Sequence, residues 1–422
     1  MFNIFRYFFL LFPSIFYAQF EAEKEVVRTL CSPNYHGRGY VNNGDSLAAE
    51  LIALEFQKRG GKQLSTSYFQ NFSFPVNTFP GTMLAATNTH PLIPGVDFMV
   101  DPASAGYAGN LTSVYFPVDA FFDKKKENDF LRTLSSKRNI LVVLPVLSFK
   151  KDSLKLAREI IKTISLSCAT AQLYNSKFTW SVADEQTKHL QLWIQESAIN
   201  TVKDTLFTLD ISAQFNPKHN TRNVIATFPS KAKHAKTIFF TAHYDHLGRM
   251  GTQTYFPGAN DNASGVGLLL NLMTYYQAHP SKYTLVFIAF AGEEAGLLGS
   301  QHFVQNPILP LQNIRFLLNL DIMGSGEDGI TVVNGTLHAK EFKALEKINA
   351  KKSYLKLVKI RGKAANSDHY FFSEMGVPAF FIYAMGPNKN YHDIEDKFEN
   401  LSFSEYGDLT HLIIDFVKHL KK

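Results

Sequence analysis

His243 and Asp245 in "FFTAHYDHLG", Asp261 in "PGANDNASG", Glu293 and Glu294 in "FAGEEAG", Asp321 in "LLNLDIMG" and His392 in "NKNYHDIED" are residues able to ligate a metal or carry a proton. Most of these stretches close an apolar run or precede a helix-like one. Two imidazoles and three carboxylates suit two Zn²⁺ ions with one carboxylate bridging. Zinc takes nitrogen and oxygen ligands at four or five positions while keeping one open. Such a pair of ions acidifies a water and offsets the charge on an attacked carbonyl oxygen. One acid must then stay unligated to take the water's proton and pass it to a leaving amine. Adjacent side chains at a strand end diverge, so of Glu293 and Glu294 one can ligate while the other moves protons.

Taken singly, each residue has an ordinary structural reading. Asp321 ahead of Gly324 fits a turn, Asp261 before "NASG" fits a helix cap, and Glu293 and Glu294 fit the acidic first turn of a helix. His392 fits a surface loop and His243 a hydrogen-bonded core position. The case for chemistry is their recurrence at successive strand ends and the complete ligand set they form together.

The elements that must position them are regular. From "NVIATFP" onward, apolar β-branched runs ("TIFFTAHYD", "YTLVFIAFAGEE", "IRFLLNLDIMG", "ITVVNG", "AFFIYAMG") alternate with helical stretches ("GVGLLLNLMTYYQA", "GSQHFVQN", "AKEFKALEKINA", "EYGDLTHLIIDFVKHL"). This alternation predicts an α/β fold, a mixed and mostly parallel sheet with helices on both faces. In such sheets ligands collect beyond the carboxyl ends of the strands. Upstream, "EAEKEVVRTLCSP" and "GDSLAAELIALEFQKRGG" have helical spacing. From Tyr68 to Phe215 the texture is β-rich, with one helical run, "KDSLKLAREIIKTI". The expected division is a leader at 1–18, an N-terminal helical part at 19–79, a β-rich inserted region at 80–215 and the main α/β core at 216–422.

With 422 residues, 45% hydrophobic and 19% charged, the chain is a folded protein of one or two domains. "MFNIFRYFFLLFPSIFYAQF" has Arg6 early, an apolar stretch from Tyr7 to Tyr17 and then Ala18, the pattern of a secretory signal; Phe16 departs from the small residue usual three before the cut. The apolar stretch is too short for a bilayer span. The expectation is export to the periplasm or beyond, without stable membrane insertion. The net charge of +6 includes no long basic block, which argues against nucleic acid as a partner. "FFDKKKEND" reads as a solvated turn. Cys31 and Cys168 leave a disulfide open and are too few for a cysteine metal site. Nothing in the sequence speaks to oligomeric state.

The ordered set "AHYDHLG", "PGANDNASG", "GEEAGLLGS", "NLDIMG" and "YHDIED" resembles the zinc aminopeptidases of peptidase family M28 over about 230 to 400. A looser likeness lies in "LCSPNYHGRGYVNNGDSLAAELIALEFQKRG". The resemblance implies His243 and Asp321 as ligands of one zinc, Glu294 and His392 as ligands of the other, and Asp261 as the bridge. It implies Glu293 as general base, Asp245 as the carboxylate that fixes the His243 imidazole, and a cis peptide after Asp261. The implied activity is that of an exported di-zinc aminopeptidase acting on peptides with a free N-terminus. In "KRNILVVLP" and the helix after it, the 80–215 region resembles the protease-associated insert of many relatives, although that insert's glycine-rich features are sparse; the resemblance implies a lid. Two other functions use this scaffold, a single-zinc glutaminyl cyclase, resembled at "HYD" and "GEEA", and a non-catalytic binding protein. "GANDNASG" and "NLDIMG" look more like the peptidase, and no ligand is missing. Cobalt or manganese also suits such a donor set.

Overall fold

The apolar run Thr237–His243 is buried at every position, as befits a central parallel strand covered on both faces. Ile238, Phe240 and Ala242 enter one core and Phe239 the other, the two-residue period of a strand. The structure, a computed structural model, describes the backbone over residues 11–146 and 151–421 and side chains over 20–146 and 153–421. Of the expected leader, residues 1–10 lie outside the described chain, and the helix Leu11–Leu30 contains the rest. Among the described residues, no helix is long and apolar enough to cross a membrane.

The strand Thr237–His243 lies near the middle of an eight-stranded sheet. Its order is Phe69–Thr78, Gln214–Phe228, Thr284–Phe290, Thr237–His243, Ile314–Asp321, Ala379–Met385, Gly329–Val333 and Val358–Ile360. The four strands from Thr284–Phe290 to Ala379–Met385 run parallel, and antiparallel pairings flank them. Their carboxyl ends therefore open on one edge. Helices cover both faces: Ser264–Ala278, Tyr406–His419 and Ala339–Lys352 contribute to one apolar core, while Phe303 and Phe372 from Leu298–Gln305 and His369–Glu374 contribute to the other. The fold is thus the mixed α/β sheet with two covered faces. Close helix packing depends on Gly267, where a Cβ would stand 2.6 Å from the Tyr406 hydroxyl and 2.7 Å from Val27 Cγ2.

A second eight-stranded sheet uses strands between Met83 and Ile211. Four of them, Tyr107–Tyr115, Ile140–Leu144, Ala169–Tyr174 and Gln191–Gln195, are parallel. Phe121, Leu134, Ile160 and Ile164, on and around the helices Lys124–Ser135 and Lys151–Ser165, pack on one face. The other core includes Leu247, Met250 and Phe256 of the first domain. Two details differ from the sequence reading. The strand Phe69–Thr78, at the start of the stretch read as β-rich and within the 19–79 part, is an edge of the first sheet. "FFDKKKEND" is a helix start rather than a turn, because the Asp123 side chain accepts from the Lys125 and Lys126 amides and caps Lys124–Ser135. Cys31 and Cys168 are both free.

Candidate metal centre

Each candidate donor emerges at the carboxyl edge of the parallel strands. His243 and Asp321 end their own strands, Glu293 and Glu294 follow Thr284–Phe290, and His392 follows Ala379–Met385. Asp261 sits just before the helix Ser264–Ala278, and its peptide bond to Asn262 is cis. The structure brings all of them together. His243 Nε2 stands 3.2 Å from Asp261 Oδ1 and 3.4 Å from Asp321 Oδ1. On the other side of the same aspartate, His392 Nε2 stands 3.2 Å from Asp261 Oδ2 and 3.1 Å from Glu294 Oε2. Asp261 thus faces one histidine–carboxylate set with each oxygen.

The donor atoms are prepared from behind. Thr241 donates to Asn319 Oδ1 at 2.7 Å, the Asn319 amide donates to Ser367 Oγ at 2.8 Å, and Ser367 donates to Asp321 Oδ2 at 3.3 Å. Asp321 Oδ1 and His243 Nε2 remain buried without a hydrogen-bond partner. Orphaned buried polar atoms of this kind are costly, and nitrogen and oxygen atoms gathered so closely fit a divalent cation such as zinc. His243, Asp261 and Asp321 each place a ligand atom within 4.8 Å of the others, as do His246, Asp261 and Glu294. The residues present therefore fit the metal chemistry their types suggest.

The Asp245 carboxylate departs from its expected task. The nearer partner of His243 Nδ1 is the Asp245 backbone carbonyl at 3.2 Å, with the carboxylate 3.9 Å away. That carboxylate instead accepts from the Glu293 and Glu294 amides, each at 3.2 Å, and from the Tyr40 hydroxyl at 2.5 Å. Asp245 thus fixes the backbone that carries both glutamates.

Two buried groups clamp the Asp261 loop. Arg38, fully buried, donates to the carbonyls of Tyr244, Pro257 and Gly258 at 2.7, 2.6 and 2.6 Å, and at 3.3 Å to those of Leu30 and Asp261. Asp396 accepts from the Asn260 and Asp261 amides at 2.9 and 3.0 Å. The turn between them needs Gly258, at φ +58°, because a Cβ there would lie 2.4 Å from His246 Cδ2.

The electrostatics of the metal-free cluster follow from this packing. Burial opposes charge on His243, yet Glu293, Asp321 and Asp261 hold its imidazole well above 6.5. Burial favours neutral Glu294, but His392 and His246 pull its carboxyl down to about 2. Glu293 goes the opposite way: burial drives it well above 4.5, His243 opposes, and Glu294, Asp368 and Asp321 reinforce the rise. Neighbouring glutamates pushed to opposite protonation states suit different tasks.

The sequence reading did not single out His246, whose Nδ1 lies 2.7 Å from Glu294 Oε1. Its signal was the second imidazole in "HYDHLG". Arg38, between the glycines of "HGRG", and Asp396, in "YHDIED", were also legible as charges without a stated task. A cavity of about 510 Å³ opens beside Asp261, lined by Ile322, Tyr383, Met385, Lys389 and Tyr391 among others.

Residues 223–417 match the profile of peptidase family M28. That matched stretch, somewhat under half of the chain, is the part that resembles the family. It is 32% identical over 207 residues to aminopeptidase YwaD of Bacillus subtilis, covering 46% of this chain and 44% of the relative. To a probable leucine aminopeptidase of Trichophyton verrucosum it is 28% identical over 221 residues, covering 49% of this chain and 58% of that one. The matches thus span about half the length of these curated relatives. Among solved structures, a zinc aminopeptidase from Bacillus subtilis aligns over 95% of this chain and 96% of its own, with TM-score 0.69 and 20% identity. An aminopeptidase from an Aneurinibacillus strain aligns over 94% and 93%, with TM-score 0.61 and 17% identity. The shared fold therefore extends through both sheets.

Proposed function

We propose that the chain is an exported di-zinc aminopeptidase that removes N-terminal residues from peptides. The observation that carries this reading is the division of Asp261: one carboxylate oxygen meets His243, beside Asp321, and the other meets His392, beside Glu294. His243, Asp321 and Asp261 would hold one ion, and Glu294, His392 and Asp261 the second. Zinc held there supplies Lewis-acid polarisation of a scissile carbonyl and lowers the pKa of a water. The names of the relatives, aminopeptidases and zinc metalloproteases, support the same chemistry.

The remaining work belongs to side chains. Glu293, spared from ligation, takes the proton of the attacking water and returns it to the leaving amine. Its high proton affinity in the metal-free cluster falls as cations replace the protons around it. His246 braces Glu294 from the oxygen that does not face His392. The cavity beside Asp261, with Ile322, Met385 and Tyr383 on its walls, receives the side chain of the N-terminal residue, and these walls suit a large apolar one.

The test uses the chain from Gln19 onward, loaded with zinc and offered free-amine, N-acetylated and N-terminal-glutamine peptides. Products are read by mass spectrometry beside a metal count. Stepwise shortening of free-amine peptides alone, with about two ions bound, is the expected result. Ammonia loss from glutamine peptides without shortening would replace this reading with cyclisation.

A further inference from the structure

Among the described residues, Trp180 carries the inserted region to the metal cluster. Trp180 lies in the segment between the strands Ala169–Tyr174 and Gln191–Gln195. Its amide donates to the His392 carbonyl at 2.9 Å, and its own carbonyl stands 2.9 Å from His392 Nδ1. A carbonyl only accepts, so Nδ1 must carry the proton, and Nε2 is the nitrogen turned toward Asp261 and Glu294. The corresponding carbonyl behind His243 comes from Asp245, two residues along the same chain segment. The two histidines are therefore supported from different domains.

Trp180 is itself held firmly. It is buried, its indole N–H donates to the Val100 carbonyl at 2.7 Å, and its ring stacks on Phe256 with centroids 4.7 Å apart and planes 14° apart. Nearby, Lys177 pairs with the Asp393 carboxylate and donates to the Lys389 carbonyl at 3.0 Å and to Asn390 Oδ1 at 3.2 Å. The segment thus grips the loop on both sides of His392.

We propose that Trp180 is a positioning residue of the metal centre, through which the inserted domain sets the orientation and the ligating nitrogen of His392. The inference rests on the reading of the cluster as a two-ion site, and it makes the insert part of one half of that site. Loosening Trp180 should weaken the half built on His392 and Glu294 and spare the half built on His243 and Asp321.

The experiment compares the full chain with Trp180→Ala and Trp180→Phe, the second keeping the ring stack on Phe256. Zinc affinity is measured by titration against a competing chelator, and the exchange protection of the His392 Nδ1 proton is followed by nitrogen-15 histidine NMR. In Trp180→Ala one of two zinc affinities should fall on the order of 10- to 100-fold, as for other outer partners of a ligating histidine. The Nδ1 proton should lose protection, and Trp180→Phe should restore most of both. A Trp180→Ala chain with unchanged zinc affinities and a protected proton overturns the proposal. Should Trp180→Ala not fold, Lys177→Met is read instead, with a smaller loss in the same half expected and no loss overturning it. Wild-type chain that binds no zinc yet loses Nδ1 protection on substitution would keep the positioning role and sink the two-ion reading.

Discussion

His246 Nδ1 lies 2.7 Å from Glu294 Oε1 while His392 Nε2 lies 3.1 Å from Glu294 Oε2, so one carboxylate is held by an imidazole at each oxygen. His246 is fully buried. Outer partners of metal-ligating carboxylates typically account for about 10- to 100-fold in metal affinity. His246→Ala should therefore lower zinc affinity by about that factor, with activity recovering in excess zinc. Equilibrium dialysis with metal analysis checks it, and wild-type affinity would show that His246 is a bystander.

On the proposed reading, Glu293 and Asp261 separate proton movement from metal binding. Glu293→Gln keeps the shape and the neighbours but cannot take a proton, so metal content should stay at the wild-type level while kcat falls by about 10²- to 10⁴-fold. Asp261→Ala should instead fail to retain metal after dialysis, because both halves of the cluster share its carboxylate. Unimpaired turnover by Glu293→Gln, or a fully loaded Asp261→Ala, contradicts the division of labour.

Arg38 stabilises the loop that carries Asp261 and the end of the strand that carries His243. Its planar fork meets several carbonyls at once, a geometry that a lysine cannot reproduce. Arg38→Lys should leave buried carbonyls unsatisfied and destabilise the fold by about 2 kcal/mol or more. Urea unfolding of the metal-free chain reads the change directly; a shift under about 0.5 kcal/mol, the range of ordinary surface substitutions, would mean that the loop is held by Asp396 alone.

Metal loading should be strongly pH-dependent. In the metal-free chain, burial alone would depress His392, but Glu294 and Asp261 hold it at about 11 against its ordinary 6.5. His243 is likewise held high. Both rings carry a proton at neutral pH that a metal must displace, so binding should release about one proton per imidazole and tighten as pH rises. Calorimetry in buffers of different ionisation enthalpy measures the release, and heats independent of buffer would contradict it. The raised His392 value also adds stability to the metal-free fold that is complete below pH 6.5 and is lost as pH climbs toward 11.

The strands and helices of the first sheet were readable because each is a long apolar run with an unambiguous period, and the donors stand at the ends of those runs. The family resemblance implies Asp245 as the carboxylate behind His243; its oxygens turn to the Glu293 and Glu294 amides, a choice made by backbone direction, which a motif does not encode. The lysine cluster at 124–126 was misread as a turn because Asp123 was not recognised as a cap. Trp180 had no signal at all. Its contact with His392 spans 212 residues of sequence and is made by a backbone carbonyl, a group every residue carries.

Leu247, Met250 and Phe256 of the first domain share one apolar core with the face of the inserted sheet that includes Trp180. Swinging that sheet away as a door would wet all four side chains, at about 1.5–3 kcal/mol each. The insert is consequently a wall.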